Sequence, residues 1–365
     1  MALRYYTTYM AKGSIVKLYS ELSAAAQAAF AGLDVAAKDY ELRRSVATLG
    51  GGFTPKRIKG REYWYYQWKT PTGVPMQIFV GPNDDATNAL IARHASPQKG
   101  IEHAALVKMV RAAVEYGCAD IPAKHGRVIE RLLDHGFFKA GGILVGTHAF
   151  LAYQNIFGIR WNSGAFTLDL DFAHAGKNLS LAIASSVTME ATKAIDSLQM
   201  GFIPVASKTT FKKPDEPDFD LDFLTTYGRT GDAPLYLPTF NVTLQPLKFM
   251  ELSLEDPMKA ALLVRGGPLV VNLPRPQRYA LHKLIVHGER DLTQRTKATK
   301  DLVQAAALLD YLIDHDADLL KEAWHDVTSR GPGWAKRLQH GWAALLTKFP
   351  DLGFEARMRE ILQTP

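Results

Sequence analysis

Apolar and polar residues alternate with a period of two along residues 167–172, which read Thr-Leu-Asp-Leu-Asp-Phe. This period is typical of a half-buried β-strand, because successive side chains of a strand point to opposite faces of the sheet. The apolar side chains would face a core, while Asp169 and Asp171 would project together from the other face, roughly 6.6 Å apart. The pattern therefore predicts a strand that carries two neighbouring carboxylates.

Two more stretches contain strand patterns. Residues 219–224 alternate again, with Asp220 and Asp222 on one face. Upstream of the first carboxylates, an apolar run ends at Gly146 and Thr147, a sequence typical of a strand, a tight glycine turn and the start of a helix. Backbone N–H groups at such a helix start can hold phosphate oxygens, so this turn is a candidate triphosphate-binding element.

The rest of the chain combines helical and strand-like segments. Apolar residues spaced by three or four, together with many alanines, predict helices over residues 14–48, 84–138, 179–199 and 277–347. Alternating runs bounded by turn residues predict strands over residues 53–81, 235–250 and 269–273.

This order of elements indicates a mixed α+β or α/β protein, and a length of 365 residues suggests two or three domains. Residues 1–98 are predicted to form helices and a small antiparallel sheet. Residues 99–275 are predicted to form an α/β domain with a mixed sheet that contains the carboxylate strands. Residues 276–365 are predicted to form a helical C-terminal domain.

The composition, 47% hydrophobic and 22% charged residues, is that of an ordinary globular protein. There is no apolar run of about 18 residues and no apolar segment near Met1, so neither a transmembrane helix nor a signal peptide is expected. The single cysteine, Cys118, excludes an internal disulfide framework and a cysteine-based zinc site. We therefore expect a cytoplasmic protein without membrane contact.

The formal net charge of +6 is modest for the length, so the distribution of basic residues is more informative than the total. One basic group immediately precedes the aromatic run of residues 63–68. Basic residues interleaved with aromatic ones can hold phosphates and stack bases, so nucleic-acid contact is a hypothesis for this segment. The alternative is an ordinary solvated sheet surface. The basic residues are Lys56, Arg57, Lys59 and Arg61.

The aromatic run alternates as well. Tyr63 and Tyr65 share one predicted face, whereas Trp64, Tyr66 and Trp68 share the other. One of these aromatic faces is therefore expected to belong to a core.

The carboxylates are candidates for a metal site. Asp169 and Asp171 would repel each other unless a cation lay between them, and a divalent metal ion is the usual solution. The alternative is an exposed polar face of an edge strand. A third carboxylate, Asp220 or Asp222 from a neighbouring strand, would allow two Mg²⁺ or Mn²⁺ ions to clamp the attacking and leaving oxygens of a phosphoryl transfer.

Together these motifs resemble the nucleotidyltransferase superfamily that includes DNA polymerase β and the abortive-infection nucleotidyltransferase toxins. The resemblance rests on Gly146-Thr147, on Asp169-x-Asp171 and on the later strand aspartate. It extends to a bacterial nucleotidyltransferase-like family through residues 145–150, 167–172, 278–284 and 300–305.

The resemblance implies a polymerase β-like catalytic core within residues 99–275. It implies Mg²⁺-dependent transfer of a nucleoside monophosphate from an NTP to a hydroxyl, with release of pyrophosphate. Asp169, Asp171 and Asp222 would bind the metal ions and act in catalysis. The implied nucleotide-binding residues are Gly146, Thr147, His148 and Lys283.

Several alternatives stay open at this level. His148 either touches phosphate or caps the helix that follows the turn. Lys300 and Asp301 form an exposed ion pair on a helix, or help to orient Lys283. The acceptor is RNA, a protein or a small molecule. A second functional class is a catalytically inactive nucleotide- or nucleic-acid-binding module of the same fold.

Overall fold

The structure is a computed structural model. It describes residues 17–47, 52–69, 75–95, 99–134, 136–139, 141–162, 178–182, 203–204, 210–213, 216–227, 231–237, 242–289 and 295–363.

The described chain contains both helices and strands, and it ends in a series of helices. The first third contains β1 (Tyr19–Glu21), α1 (Ala24–Ala47), β2 (Gly52–Ile58), β3 (Arg61–Lys69), β4 (Pro75–Pro82), α2 (Asp85–Ala95), α3 (Lys99–Glu115) and α4 (Ala123–Asp134). The middle contains β5 (Ile143–Val145), α5 (Gly146–Phe157), β6 (Ile159–Trp161), β7 (Asn178–Ala182), β8 (Ile203–Pro204), β9 (Thr210–Lys213), β10 (Glu216–Thr226), β11 (Leu235–Leu237) and β12 (Val242–Leu247). The last part contains α6 (Glu251–Leu254), β13 (Met258–Val264), β14 (Gly267–Leu273), α7 (Pro276–Glu289), α8 (Arg295–His315), α9 (Ala317–Ser329), α10 (Pro332–Lys348) and α11 (Phe354–Gln363).

A mixed sheet forms the centre of the described chain, as predicted. Its strand order is β11-β12-β10-β7-β5. Strand β9 also pairs with β10, and β8 pairs with β9. The long strand β10 runs parallel to β7 and β12 and antiparallel to β9. Its alternation has the predicted effect, because Leu221 and Phe223 are fully buried on one face while Asp222 is only part-buried on the other.

The prediction of a helix from residue 179 is wrong where the structure describes the chain. Residues Asn178–Ala182 form strand β7, which pairs with β10 on one edge and with β5 on the other. Leu179 and Leu181 also alternate with polar neighbours, a period-two signal that the longer helical spacing obscured. Pairing on both edges satisfies the backbone groups of this segment and overrides its local helical preference. Residues 183–199 lie outside the described part.

The predicted small N-terminal sheet is confirmed as the antiparallel order β2-β3-β4. Lys59 and Gly60 form the β2–β3 turn, with φ values of +49° and +81°. Two successive left-handed residues give the turn a twist that suits a tight hairpin. Every side chain of this sheet whose burial the structure describes is partly or fully exposed. The expectation that one aromatic face belongs to a core is therefore wrong for the described residues.

The main hydrophobic core lies between the central sheet and helices α4, α5, α7 and α8. Helix α10 packs directly on α7, and a glycine makes this close approach possible. A Cβ atom at Gly341 would lie 2.1 Å from the carbonyl oxygen of Leu284. Within the described chain, no helix combines the length and the apolar character needed to cross a membrane.

A buried carboxylate ties the start of the described chain to its C-terminal helices. Asp310 of α8 is 0% exposed and accepts hydrogen bonds from the Leu18 N–H and from Arg357 Nη1 of α11, both at 2.8 Å. Lys17 Nζ lies 3.7 Å from the same carboxylate. The strand that follows Leu18, β1, pairs with β6 at the end of α5. Asp310 therefore joins three distant segments.

Replacing Asp310 with alanine should lower the free energy of unfolding by about 3–5 kcal/mol, because the part-buried Arg357 loses its fully buried partner and keeps only the more exposed Asp314. The Leu18 N–H also loses its acceptor. Urea unfolding followed by circular dichroism measures this difference. Glu355→Ala is the control, since it removes an exposed pair with Arg359 and should change stability by less than about 1 kcal/mol. Equal effects of the two substitutions would contradict the role assigned to Asp310.

Candidate functional site

One row of paired residues crosses the central sheet. Val145 of β5 lies opposite Ser180 of β7, Ser180 lies opposite Asp222 of β10, and Asp222 lies opposite Thr210 of β9. Directly paired residues project from the same face of a sheet. Asp222 and Val145 therefore share a face and are two strands apart, a separation of roughly 10 Å.

The side chain of Asp222 is held in place by its cross-strand neighbour. The Thr210 hydroxyl donates a hydrogen bond of 2.6 Å to Asp222 Oδ1. Asp220 occupies the next position along β10 on the same face. The other predicted carboxylates, Asp169 and Asp171, lie outside the described residues.

The predicted glycine turn is present between β5 and α5. Gly146 has φ +67°, a left-handed conformation that glycine adopts without steric cost, and it starts α5 directly after Val145. Thr147 follows within the first turn and is part-buried. The first N–H groups of a helix have no partners within the helix, so this turn presents hydrogen-bond donors of the kind that phosphate oxygens accept.

A cavity of about 480 Å³ lies beside this turn. Val145 and Gly146 line it from the turn, and Leu224 lines it from β10, two residues beyond Asp222 on the same face. Lys283 of α7 and Lys248, which follows β12, line its wall together with the acidic residues Asp232 and Glu289. The cavity thus joins the glycine turn, the carboxylate strand and the lysine-bearing helix.

Tyr279 connects the turn to α7 at the base of this cavity. Its hydroxyl can donate either to the Gly146 carbonyl oxygen, at 2.9 Å, or to Gln304 Oε1 of α8, at 3.1 Å. Complete burial raises the pKa of Tyr279 well above its ordinary value, so the hydroxyl keeps its proton. The aromatic ring also lies under Lys283, whose Nζ is 5.2 Å from the ring centre.

Lys283 is positioned by a second contact, to α8. Its Nζ donates a hydrogen bond of 2.8 Å to Asp301 Oδ1. The expectation of an exposed ion pair between Lys300 and Asp301 is wrong, because Asp301 is 2% exposed and pairs with Lys283 instead. Adjacent residues of a helix do not face each other, whereas α7 and α8 pack side by side. The alternative, that Asp301 orients Lys283, is confirmed as a contact.

Lys300 adds a further positive charge near this pair. Burial, together with repulsion from Lys283 and Lys297, lowers the pKa of Lys300 to about 8 against the attraction of Asp301. An anion bound nearby would relieve this repulsion. The three lysines therefore produce a positive potential suited to phosphate groups.

His148 does not occupy the position predicted for it. It is 1% exposed, and its Nε2 lies 2.9 Å from Nδ1 of His125. Burial, with smaller contributions from His125 and Lys300, lowers the pKa of His148 to about 3, so the ring is neutral. The residue at the helix cap is Val145, and no side chain caps the helix there. A buried neutral ring neither touches phosphate in this conformation nor caps α5.

Asp169 and Asp171 of the predicted metal site lie outside the residues that the structure describes. Among the described residues, no group of three or more His, Cys, Asp or Glu side chains could hold a metal ion. Asp222 is the one predicted ligand whose side chain is described, and a carboxylate with one oxygen fixed by Thr210 is the kind of ligand that Mg²⁺ prefers. The chemistry and the position of Asp222 therefore fit a bound Mg²⁺ ion. Asp169 and Asp171 stay predicted ligands.

Two residues of the cavity were not singled out from the sequence. Lys248 lines the cavity and lies 3.3 Å from Glu289 Oε2, but nothing in the sequence distinguishes it from other surface lysines. The structural role of Tyr279 had a weak signal, because it precedes Lys283 by one helical turn and so shares its face.

A family model described as a nucleotidyltransferase matches residues 123–329 of this chain. No curated protein and no solved structure matches this chain. The matched segment runs from α4 to α9 and therefore contains the glycine turn, β10, Lys283 and Asp301.

Lys300→Met should raise stability at pH 7, where the lysine is charged in both the folded and the unfolded protein. The unfolded lysine has a pKa near 10.4. Between pH 8 and about 10.5 the unfolded state therefore binds more protons than the folded state. The stability of the wild type rises with pH across this window. The advantage of the variant should therefore shrink across this window. Urea unfolding at several pH values measures it. Exposed Lys336→Met is the control for loss of one charge, and a pH-independent advantage of Lys300→Met would contradict the burial effect.

Proposed function

Because the chain belongs to the nucleotidyltransferase family, we propose that it transfers a nucleoside monophosphate from an NTP to a hydroxyl acceptor and releases pyrophosphate. The proposal includes a polymerase β-like catalytic core, built on the central sheet. The observation that carries it is the cavity in which the Gly146 turn, the β10 strand and Lys283 meet.

The triphosphate is proposed to bind between the glycine turn and α7. The N–H groups that begin α5, at Gly146 and Thr147, provide donors for phosphate oxygens. Lys283 supplies a positive charge whose position is fixed by Asp301 and by the ring of Tyr279. Lys300 strengthens the positive potential on the same side. This part of the proposal keeps Gly146, Thr147 and Lys283 in nucleotide binding and leaves His148 out.

The reacting end of the site is proposed to lie along the carboxylate face of β10. In the transfer, the acceptor oxygen forms a bond to the α-phosphorus, and the bond from that phosphorus to the oxygen bridging to the β-phosphate breaks. Asp222 would accept the hydroxyl proton. Asp169, Asp171 and Asp222 would hold Mg²⁺ or Mn²⁺, which when bound neutralises the charge that develops on the phosphate oxygens.

The acceptor is proposed to be RNA, a protein or a small molecule that carries a hydroxyl. Contact with nucleic acid through Lys56, Arg57, Lys59 and Arg61 would favour RNA. The second functional class, an inactive nucleotide-binding module, differs in one measurable respect. It would bind NTP at the same cavity but release no pyrophosphate.

Asp222→Asn should lower metal-dependent turnover of NTP by about 100-fold or more, the scale of losing one group that stabilises transition-state charge. The neighbouring substitution Asp220→Asn is the matched control and should have the smaller effect. Pyrophosphate release measured with each NTP, Mg²⁺ and a cellular RNA and protein extract reports the activity. The double variant Asp169→Asn/Asp171→Asn should be inactive, and full turnover in that variant would refute the catalytic assignment.

Removing the Lys283 charge should weaken NTP binding by roughly 1.5–3 kcal/mol, the range for a charge-assisted hydrogen bond. Because Lys283→Met alone would leave Asp301 buried with its charge, the test uses Lys283→Met combined with Asp301→Asn. Asp301→Asn alone keeps the lysine and serves as the control. Titration calorimetry with a non-hydrolysable NTP and Mg²⁺ compares the two variants. Equal affinities would exclude Lys283 from the phosphate site.

A further inference from the structure

The two faces of the β2-β3-β4 sheet differ in what contacts them. On one face, Trp64 Nε1 donates a hydrogen bond of 2.8 Å to Asn88 Oδ1 of α2, so this helix packs against that side. Phe53 and Tyr66 pack together on the same side, with ring centres 5.1 Å apart. Among the described residues, the strand register places a different set on the opposite face, here called the open face. It includes Lys56, Arg61, Tyr63, Tyr65, Gln67, Gln77 and Phe79, together with Thr54 and Ile58 of β2.

Three aromatic rings form a continuous patch on the open face. The ring centre of Phe79 lies 5.9 Å from that of Tyr63 and 5.7 Å from that of Tyr65. Phe79 is 54% exposed, and the two tyrosines are part-buried. Rings on adjacent strands that present their surfaces to solvent can stack planar groups.

Polar and positive groups surround these rings. Lys56 Nζ lies 5.3 Å from the Tyr65 ring centre and donates a hydrogen bond to Gln77 Oε1. Gln67 Nε2 donates to the same oxygen at 3.3 Å. Arg61 is exposed at the hairpin end of the face. The ligand suited to this face therefore combines planar groups with negative charge.

The charge of the open face has one sign. The three strands contain a single acidic residue, Glu62, and the register assigns it to the face that α2 contacts. There its Oε2 accepts a hydrogen bond of 2.9 Å from Asn83 Nδ2. The described residues of the open face thus have two basic groups, Lys56 and Arg61, and no carboxylate. Arg57 projects from the other face, and Lys59 lies in the turn.

We propose that the open face binds single-stranded RNA. Unpaired bases stack on Tyr63, Tyr65 and Phe79, because every base has a flat surface that an aromatic ring can cover. Lys56 and Arg61 hold phosphates. The tyrosine hydroxyls and the glutamine amides beside the rings can bond 2′-hydroxyl groups, which DNA lacks. The sheet lies outside residues 123–329, so this surface is separate from the family-matched segment.

Binding of RNA to the open face requires neither NTP nor a metal ion. The inference rests on the proposed function only for the role of the bound strand as the acceptor of the nucleotidyl group. Its test therefore omits NTP and divalent ions, so that failure to bind RNA and failure to turn over NTP are separate results.

The first test measures the aromatic contact with the full chain and a labelled 12-nucleotide RNA of mixed sequence, by fluorescence anisotropy at low salt. Phe79→Ala should weaken binding roughly 5- to 150-fold, the range for loss of one stacked base. Ile78→Ala is the matched control, since Ile78 is the next residue, is 56% exposed and projects from the opposite face. It should leave affinity unchanged.

Two further variants separate stacking from simple apolar contact. Phe79→Tyr keeps the ring and should retain binding. Phe79→Leu keeps an apolar side chain without a ring and should bind as weakly as Phe79→Ala. Thermal unfolding of each variant shows whether the sheet is intact. Equal losses in Phe79→Ala and Ile78→Ala would overturn the proposal, as would full affinity in Phe79→Leu.

The second test measures the phosphate contact through salt dependence. Each neutralised phosphate of a single strand contributes about 0.7 to the slope of log affinity against log salt. The variant Lys56→Gln/Arg61→Gln should therefore lower this slope by about 1.4. Lys336→Gln removes an exposed basic residue of α10, outside the proposed surface, and should leave the slope unchanged.

Competition experiments define the ligand. Unlabelled single-stranded RNA should displace the probe, whereas duplex RNA, whose bases are already stacked, should compete poorly. Single-stranded DNA of the same sequence should bind several-fold more weakly than RNA. Absence of RNA binding at low salt would overturn the proposal and leave the face to a protein partner. Equal competition by duplex RNA or by DNA would also overturn it.

Discussion

A hydrogen bond between a buried tyrosine and a glycine carbonyl fixes the geometry of the candidate site. The Tyr279 hydroxyl lies within hydrogen-bond distance of both the Gly146 carbonyl oxygen and Gln304 Oε1, so α7 contacts both the turn before α5 and the helix α8. Lys283 lies one helical turn further along α7, and its ammonium group rests over the same tyrosine ring. This buried contact therefore helps to set the distance between the start of α5 and Lys283.

The electrostatics of the site follow from the same packing. Asp301 is buried and compensates Lys283, but it is shared with Lys300, which is itself part-buried and is repelled by its neighbours. This arrangement of charges lowers the stability of the folded protein when no anion is bound. It therefore favours the binding of an anion. Strongly shifted pKa values are common at functional sites for this reason, and Lys300, whose pKa is lowered, lies within the segment that the family model matches.

Local patterns predicted the strands and the turn because they depend on neighbouring residues. Gly146 was predicted from its place between an apolar run and a helix, and Asp222 from period-two alternation. The environment of His148 could not be predicted in this way, since its burial depends on His125 in another helix. The Lys283–Asp301 contact joins α7 to α8 and has no local signal. The strand of Asp169 and Asp171 stays a prediction.

The glycine contact between α10 and α7 limits where this protein can be truncated. Gly341 lets the backbone of α10 reach the carbonyl oxygen of Leu284, the residue next to Lys283. Helix α10 begins at Pro332, after the family-matched segment ends at residue 329. The lysine helix therefore takes part of its support from outside the matched region. The segment that the family model recognises is therefore shorter than the segment that supports the lysine helix.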